Sequence, residues 1–276
     1  MLKTLWEWTP ARPTGSEQIG RLESRWFLID GWRMHVRVSV EPVPADAPAV
    51  VLVHGLGVAS TYMVPTAVRL ARWYRVYAPD LPGFGHSDKP PDALDIPQLA
   101  DALVAWMDAA GLERAVFIGN SLGCQIIVNA AVRHSSRIER AVLQGLTMDR
   151  HARTLRQQVG RALLDVLREH PTQPLVQTRD YAKFGLRRSL QTFHFAVEDR
   201  IEDKLRLVRA PTLVVRGSRD PIVSQRWAEE VTRLLPEGRL VVMPGAPHTL
   251  NYSTPREFVQ VLRPFLEAVR NEGAIP

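Results

Sequence analysis

One stretch constrains this chain more than any other: Val116-Phe117-Ile118-Gly119-Asn120-Ser121-Leu122-Gly123-Cys124. An apolar run ends at Ile118, Gly-Asn-Ser-Leu-Gly follows, and Gln125 to Ala131 has the pattern of a helix. Strand, sharp turn and helix in that order put a single serine at the apex. A G-x-S-x-G turn in this setting holds its serine in a strained backbone conformation. Glycines flank it because side chains would collide where strand and helix close on each other. The Ser121 hydroxyl is thereby lifted above a sheet edge toward a substrate. The five-residue pattern alone turns up by chance in roughly one chain in ten of this length, so its weight lies in its surroundings.

A serine hydroxyl is a poor nucleophile unless a base is within hydrogen-bond reach and a carboxylate orients that base. The chain offers both after apolar runs. Gly217-Ser218-Arg219-Asp220 follows the run Pro211 to Arg216, and Pro244-Gly245-Ala246-Pro247-His248 follows Arg239 to Met243. If those runs are parallel strands, both loops leave the sheet at the edge that carries Ser121. Asp149, after the strand Ile138 to Leu143, is a second carboxylate that could orient the base.

The rest of the pattern supports such a sheet. Ala49-Val50-Val51-Leu52-Val53 is uniformly apolar and β-branched, as in a strand buried on both faces. It stops in His54-Gly55-Leu56-Gly57, and another strand, Arg75 to Ala78, runs into a turn-rich loop through Asp88. Helical spacing appears at Thr61 to Trp73, Ile96 to Ala110, Gln225 to Leu235 and Pro255 to Val269. Strands alternating with helices predict a mostly parallel α/β sheet with helices on both faces. Near the start, Asp30-Gly31 between Arg25 to Ile29 and Met34 to Val38 signals a hairpin, with His35 on the outward face.

The expected organisation is an N-terminal arm over residues 1–24, carrying Trp6 and Trp8, a core over 25–145 and 207–276, and a helical cap over 146–206. In the cap, Leu155, Val159, Ala162, Leu163, Val166 and Leu167 form one face of a helix, and no buried-strand pattern appears. The segment leaves the chain where open α/β sheets bind their ligands, at the carboxyl ends of the strands. Its aromatic residues Tyr181, Phe184, Phe193 and Phe195 are candidates for a substrate pocket, or for the cap's own core.

Composition narrows the alternatives. The formal charge of +6 comes from 35 basic and 29 acidic residues, with the arginines scattered and no nucleic-acid motif. Cys124 is the one cysteine, so no internal disulfide forms, and a reducing compartment such as the cytoplasm fits. No signal peptide pattern opens the chain and no run of eighteen apolar residues suggests a membrane span. The histidines at 134, 151, 170 and 194 lack ligand spacing, so neither metal nor cofactor is expected. His54 and His86 read as braces for their loops, and Cys124 as a small core residue.

Taken together, His54-Gly55-Leu56-Gly57, Asp80-Leu81-Pro82-Gly83-Phe84-Gly85-His86-Ser87, Gly119 to Gly123, Gly217 to Asp220 and Pro247-His248 resemble the α/β-hydrolase fold superfamily. Over roughly 25–145 and 207–270 the chain is similar to its capped bacterial esterases, haloperoxidase-like hydrolases and C–C bond hydrolases. The resemblance implies an eight-stranded sheet and a Ser121–His248–Asp220 triad. It further implies an oxyanion hole made by the backbone N–H groups of Leu56 and Leu122. It implies hydrolysis of a carboxylic ester of a small, largely apolar substrate through an acyl-enzyme. Serine rather than aspartate at 121 argues against dehalogenase and epoxide hydrolase chemistry. Three alternatives stay open. One is C–C bond hydrolysis of a vinylogous diketone acid, with Arg187 or Arg188 clamping a carboxylate, although the full glycine-rich oxyanion loop of those enzymes is absent. The others are acyl transfer or cyclisation, and a receptor-type member without catalysis. Oligomeric state is not legible.

Overall fold

A computed structural model describes residues 20–40, 42–44, 47–152 and 154–272. The predicted arm lies outside the described residues except at its end, where strand β1 (Leu22–Ile29) begins three residues earlier than the expected hairpin strand. β1 turns through Asp30-Gly31, both at positive φ, into β2 (Trp32–Ser39). Then come β3 (Ala49–Val53), a 3-10 turn at Ser60–Met63, helix α1 (Val64–Leu70), β4 (Arg75–Pro79), α2 (Ile96–Ala109), β5 (Ala115–Asn120), α3 (Leu122–Arg133) and β6 (Ile138–Gln144). Four helices follow without a strand: α4 (Leu155–Val166), α5 (Gln173–Phe184), α6 (Leu186–Glu198) and α7 (Ile201–Lys204). The chain ends with β7 (Thr212–Gly217), α8 (Gln225–Leu234), β8 (Gly238–Met243), α9 (Leu250–Ser253) and α10 (Pro255–Glu272).

The eight strands form one sheet in the order β1-β2-β4-β3-β5-β6-β7-β8. The pairs β1–β2 and β2–β4 are antiparallel, and all others are parallel. The central strands bury both faces, and their side chains alternate between two apolar layers. Val51, Val53 and Phe117 meet α2, α3 and α8 on one side. Val50, Leu52, Val116 and Ile118 meet α1 and α10 on the other. Local signals agree with this placement: α2 starts at a capping box, with Asp95 accepting from the Gln98 amide at 2.8 Å and Gln98 Oε1 accepting from the Asp95 amide at 2.9 Å.

One expectation is corrected. His35 is buried, not outward. The loop after β4 folds over β2, and the imidazole Nδ1 meets Asp80 at 2.9 Å while Nε2 meets Ser24 Oγ at 2.9 Å. On α4, the apolar face that the spacing predicts is turned to solvent at Leu163, Val166 and Leu167, which are 66%, 49% and 81% exposed. Among its described side chains the buried ones are Gln158 and Asp165, with Glu169 just beyond its end. Gln158 donates to the Ala152 carbonyl, and Glu169 meets the Thr249 amide and the Thr249 and Ser253 hydroxyls, groups that need polar partners when buried. The described residues include no helix long and apolar enough to cross a membrane.

Candidate active site

Ser121 stands between β5 and α3 at φ 56°, ψ −118°, a conformation that non-glycine residues rarely occupy. Packing holds it there. Gly123 sits so close to β3 that a Cβ would run into the Val53 carbonyl oxygen. The Ser121 amide donates to the Gln144 carbonyl at the end of β6 (3.1 Å), which fixes the turn against the next strand. Because α3 starts at Leu122, the Leu122 N–H has no acceptor within its own helix. From the β3 side, the Cβ position of Gly55 lies 3.3 Å from Ser121 Cβ, so the Gly55-Leu56-Gly57 turn borders the serine. His54 braces that turn: Nδ1 contacts the Gly55 carbonyl at 2.9 Å and Nε2 accepts from the Leu81 amide at 3.1 Å. Burial lowers its pKa, keeping it neutral in this role.

The loops after β7 and β8 bring Asp220 and His248 together. His248 Nδ1 and Asp220 Oδ2 are 2.8 Å apart and both residues are buried. Asp220 Oδ1 accepts from the amides of Ile222 (2.7 Å) and Val223 (3.0 Å), so one oxygen is held by the chain and the other is free for the imidazole. His248 is seated by its carbonyl, which accepts from the side chains of Gln144 (2.5 Å) and Asn120 (3.5 Å). Its ring lies against Gly145, where a Cβ would be 2.7 Å from Cε1. Asn120, Ser121, Gln144 and His248 thus share one corner of the rim. No hydrogen bond joins Ser121 to His248 among the described residues. Burial pulls the imidazole pKa down, but the charge of Asp220, its hydrogen bond, and the charges of Asp165 and Glu169 outweigh that and hold it up at about 9.

Asp149 is occupied elsewhere, accepting from the His151 amide (2.9 Å), the Ser224 hydroxyl (2.8 Å) and Arg161 (3.2 Å). Asp220 is the carboxylate at the imidazole. Of the pocket candidates, Tyr181 reaches the rim: its ring lies where a Cβ on Gly57 would stand. Phe184 stacks on Phe84 with ring centroids 4.3 Å apart, and Phe193 and Phe195 pack on the main apolar layer. Arg188 donates to the Asp92 and Pro90 carbonyls at 3.0 and 2.5 Å, and Arg187 pairs with Asp92 at 3.1 Å. Cys124 is buried with its thiol against the Gly119 and Gln144 carbonyls, and burial pushes its pKa well up.

His35, Asp80 and His86 place ligand-type atoms near one another. Asp80 is already spoken for by the His35 imidazole and by the amides of Ser60 (2.6 Å) and His86 (2.9 Å). Burial would raise its pKa, but these bonds hold it well below the usual carboxylate range. The cluster reads as a brace between β2 and the loop after β4.

Sequence reasoning missed Gln144, Asp180 and Glu169. Asp180 accepts from the Ala59 amide at 3.1 Å, and Glu169 accepts from the Thr249 amide at 2.7 Å. A signal existed: between Arg150 and Val197 the acidic residues are Asp165, Glu169 and Asp180, isolated among arginines. All three are buried.

Comparisons agree with this architecture. The sequence model of the alpha/beta hydrolase family matches residues 50–261. A 2-hydroxymuconate semialdehyde hydrolase of Pseudomonas putida is 26% identical over 92% of this chain and 96% of its own length. A 2-(acetamidomethylene)succinate hydrolase of Mesorhizobium japonicum is 25% identical over 81% of this chain and 89% of its own. Among solved structures, a membrane phospholipase A described as a bacterial virulence factor superposes with a TM-score of 0.75 at 25% identity, covering 91% of this chain and 87% of that one.

Proposed function

Because the chain belongs to the alpha/beta hydrolase family, we propose that it is a serine hydrolase that cleaves a carboxylic ester of a small, largely apolar substrate through an acyl-enzyme. The observation that carries this is the 2.8 Å contact of Asp220 with His248 at the rim bearing the strained Ser121. Ser121 Oγ attacks the ester carbonyl carbon while its proton passes to His248 Nε2. Asp220 keeps Nδ1 protonated and offsets the imidazolium charge. The N–H groups of Leu56 and Leu122 receive the oxyanion; losing one such donor typically costs ~2.7–4 kcal/mol of transition-state stabilisation. Collapse expels the alcohol, which takes the proton from His248. Water then gives a proton to His248 and attacks the acyl group, releasing the carboxylic acid and restoring Ser121.

Residues 146–206 serve as a cap in this reading, with Tyr181 narrowing the entrance beside Gly57. The buried, unpaired thiol of Cys124 supports a reducing compartment such as the cytoplasm. The 2-hydroxymuconate semialdehyde hydrolase relative favours a second reading, C–C hydrolysis of a vinylogous diketone acid. The engagement of Arg187 and Arg188 with the 90–92 loop removes both candidate carboxylate clamps and ranks it second. A panel of p-nitrophenyl esters of rising acyl length alongside a vinylogous diketone acid separates the two. Ester turnover dominating supports the first, and cleavage of the diketone acid alone overturns it.

A further inference from the structure

The segment between β6 and β7 is fastened to the histidine loop at one place. The Glu169 carboxylate accepts from the Thr249 amide at 2.7 Å, from the Thr249 hydroxyl at 2.5 Å and from the Ser253 hydroxyl at 2.5 Å. Gln173 Nε2 donates to Thr249 Oγ1 at 2.9 Å, the Thr172 and Tyr252 hydroxyls meet at 2.9 Å, and the His170 amide donates to Ser253 Oγ at 3.2 Å. Residues 169–173 therefore grip Thr249, the residue directly after His248 that precedes α9, together with Tyr252 and Ser253 inside it. Glu169 and Thr249 are both buried.

A neutral amide oxygen has two lone pairs and carries no charge. A carboxylate has lone pairs for three donors at once and also brings negative charge beside the imidazole. Asp165 lies one helical turn earlier, buried, and shares a hydrogen bond with Glu169; its other oxygen, Oδ1, has no partner among the described residues. Here burial and the charges of Glu169 and Asp220, opposed by His248, raise the Asp165 pKa to about 7. The charged groups facing His248 are Asp220 from the loop after β7 and Asp165 and Glu169 from the end of α4.

Resting on the reading of His248 as the base, we propose that Glu169 is a positioning residue: it fixes the imidazole from the helical segment above, through the Thr249 amide and hydroxyl. An imidazole that must swing between a serine, a leaving group and water gains from a loop held at the residue beside it. The same carboxylate favours the imidazolium formed in each half-reaction.

The test compares full-length wild type with Glu169→Ala, Glu169→Gln and Thr249→Val on an ester substrate, across pH. Misplacement of a catalytic group by about 1 Å costs on the order of 100-fold. Glu169→Ala is therefore expected to lose kcat on that scale with KM little changed, Glu169→Gln to recover part of it, and Thr249→Val to lose less. Removing the charge in Glu169→Gln is also expected to move the acid limb of kcat/KM down by at least about half a pH unit. Unchanged kcat and pH profile in these variants overturn the inference, as does a rise in KM alone. Where Glu169→Ala does not fold, Thr249→Val and Glu169→Gln decide. NMR titration of the His248 ring separates this inference from the ester reading. If wild type turns over no ester but the His248 midpoint falls in Glu169→Gln, the coupling stands and the function falls. If wild type is active and the midpoint does not move, the function stands and the coupling falls.

Discussion

The sheet rim and the helical segment above it are built on opposite plans. At the rim, Ser121 is held by a positive-φ turn, Asp220 by two amides, and His248 by the Gln144 and Asn120 side chains on its carbonyl. Beneath them the strands are apolar on both faces. In the segment between β6 and β7, acids face inward and leucines outward. Its inward groups meet each loop of the site: Asp180 the Ala59 amide, Arg161 and Arg168 the Ile222 and Arg219 carbonyls, Glu169 the Thr249 amide. In the proposed reading the rim supplies the chemistry, and it draws its rigidity from apolar burial. The segment is held in two ways: around α4 by polar contacts, and from Phe184 onward by Phe184, Phe193, Phe195 and Ala196 packing on the main apolar layer, so its α4 end is the part able to shift without unfolding the sheet.

Four outcomes would sharpen or break this contrast. Ser121→Ala is expected to cost about 10⁴-fold or more in ester turnover with the fold intact, as is usual when a triad nucleophile is removed; a kinetic assay beside a circular dichroism spectrum checks both. The second concerns pH. His248 must lose its proton to act, and the carboxylates around it hold its pKa at about 9. kcat/KM should therefore climb about tenfold per pH unit up to that value and then level off, whereas a plateau already reached at pH 7 would mean that the charges of Asp220, Asp165 and Glu169 do not act on it. The same proton contributes to stability with a definite sign. The raised pKa stabilises the fold fully below the ordinary value of 6.5, and that contribution is lost as pH rises through about 9.

The third, Gly123→Ala, tests the rim's packing. The new Cβ meets the Val53 carbonyl, and overpacking of this kind costs about 1–3 kcal/mol, visible as a lower urea midpoint. The smallest effect belongs to the segment's outer face. Leu167→Ser, at a side chain 81% exposed, is expected to stay within about 0.5 kcal/mol of wild-type stability. A larger loss by the same urea titration would show that α4 is packed the other way round.

The same contrast explains how far the sequence could be read. Uniform apolar runs such as Ala49–Val53 admit one interpretation, a strand covered on both faces, and β3 is that strand. The glycines around Ser121, and the loops bearing Asp220 and His248, follow from the strand-to-loop grammar of a parallel sheet. Helix α4 is different. Its periodicity defines two faces but not which one turns inward, and at Leu163, Val166 and Leu167 the apolar one faces out. His35 went astray for a related reason: alternation along β2 could not reveal that the distant loop carrying Asp80 folds over that face. Contacts such as Glu169 with Thr249 join residues 80 positions apart, and local pattern holds no trace of them beyond isolated acids in a basic stretch.

The central claim is that Ser121 becomes an acylating nucleophile because His248, oriented by Asp220, draws off its proton. Reacting the intact protein with a fluorophosphonate and mapping the adduct by peptide mass spectrometry tests this most directly. The account predicts one adduct, on Ser121, forming orders of magnitude more slowly in His248→Ala. An adduct on another residue, or equal labelling rates in wild type and His248→Ala, would contradict it.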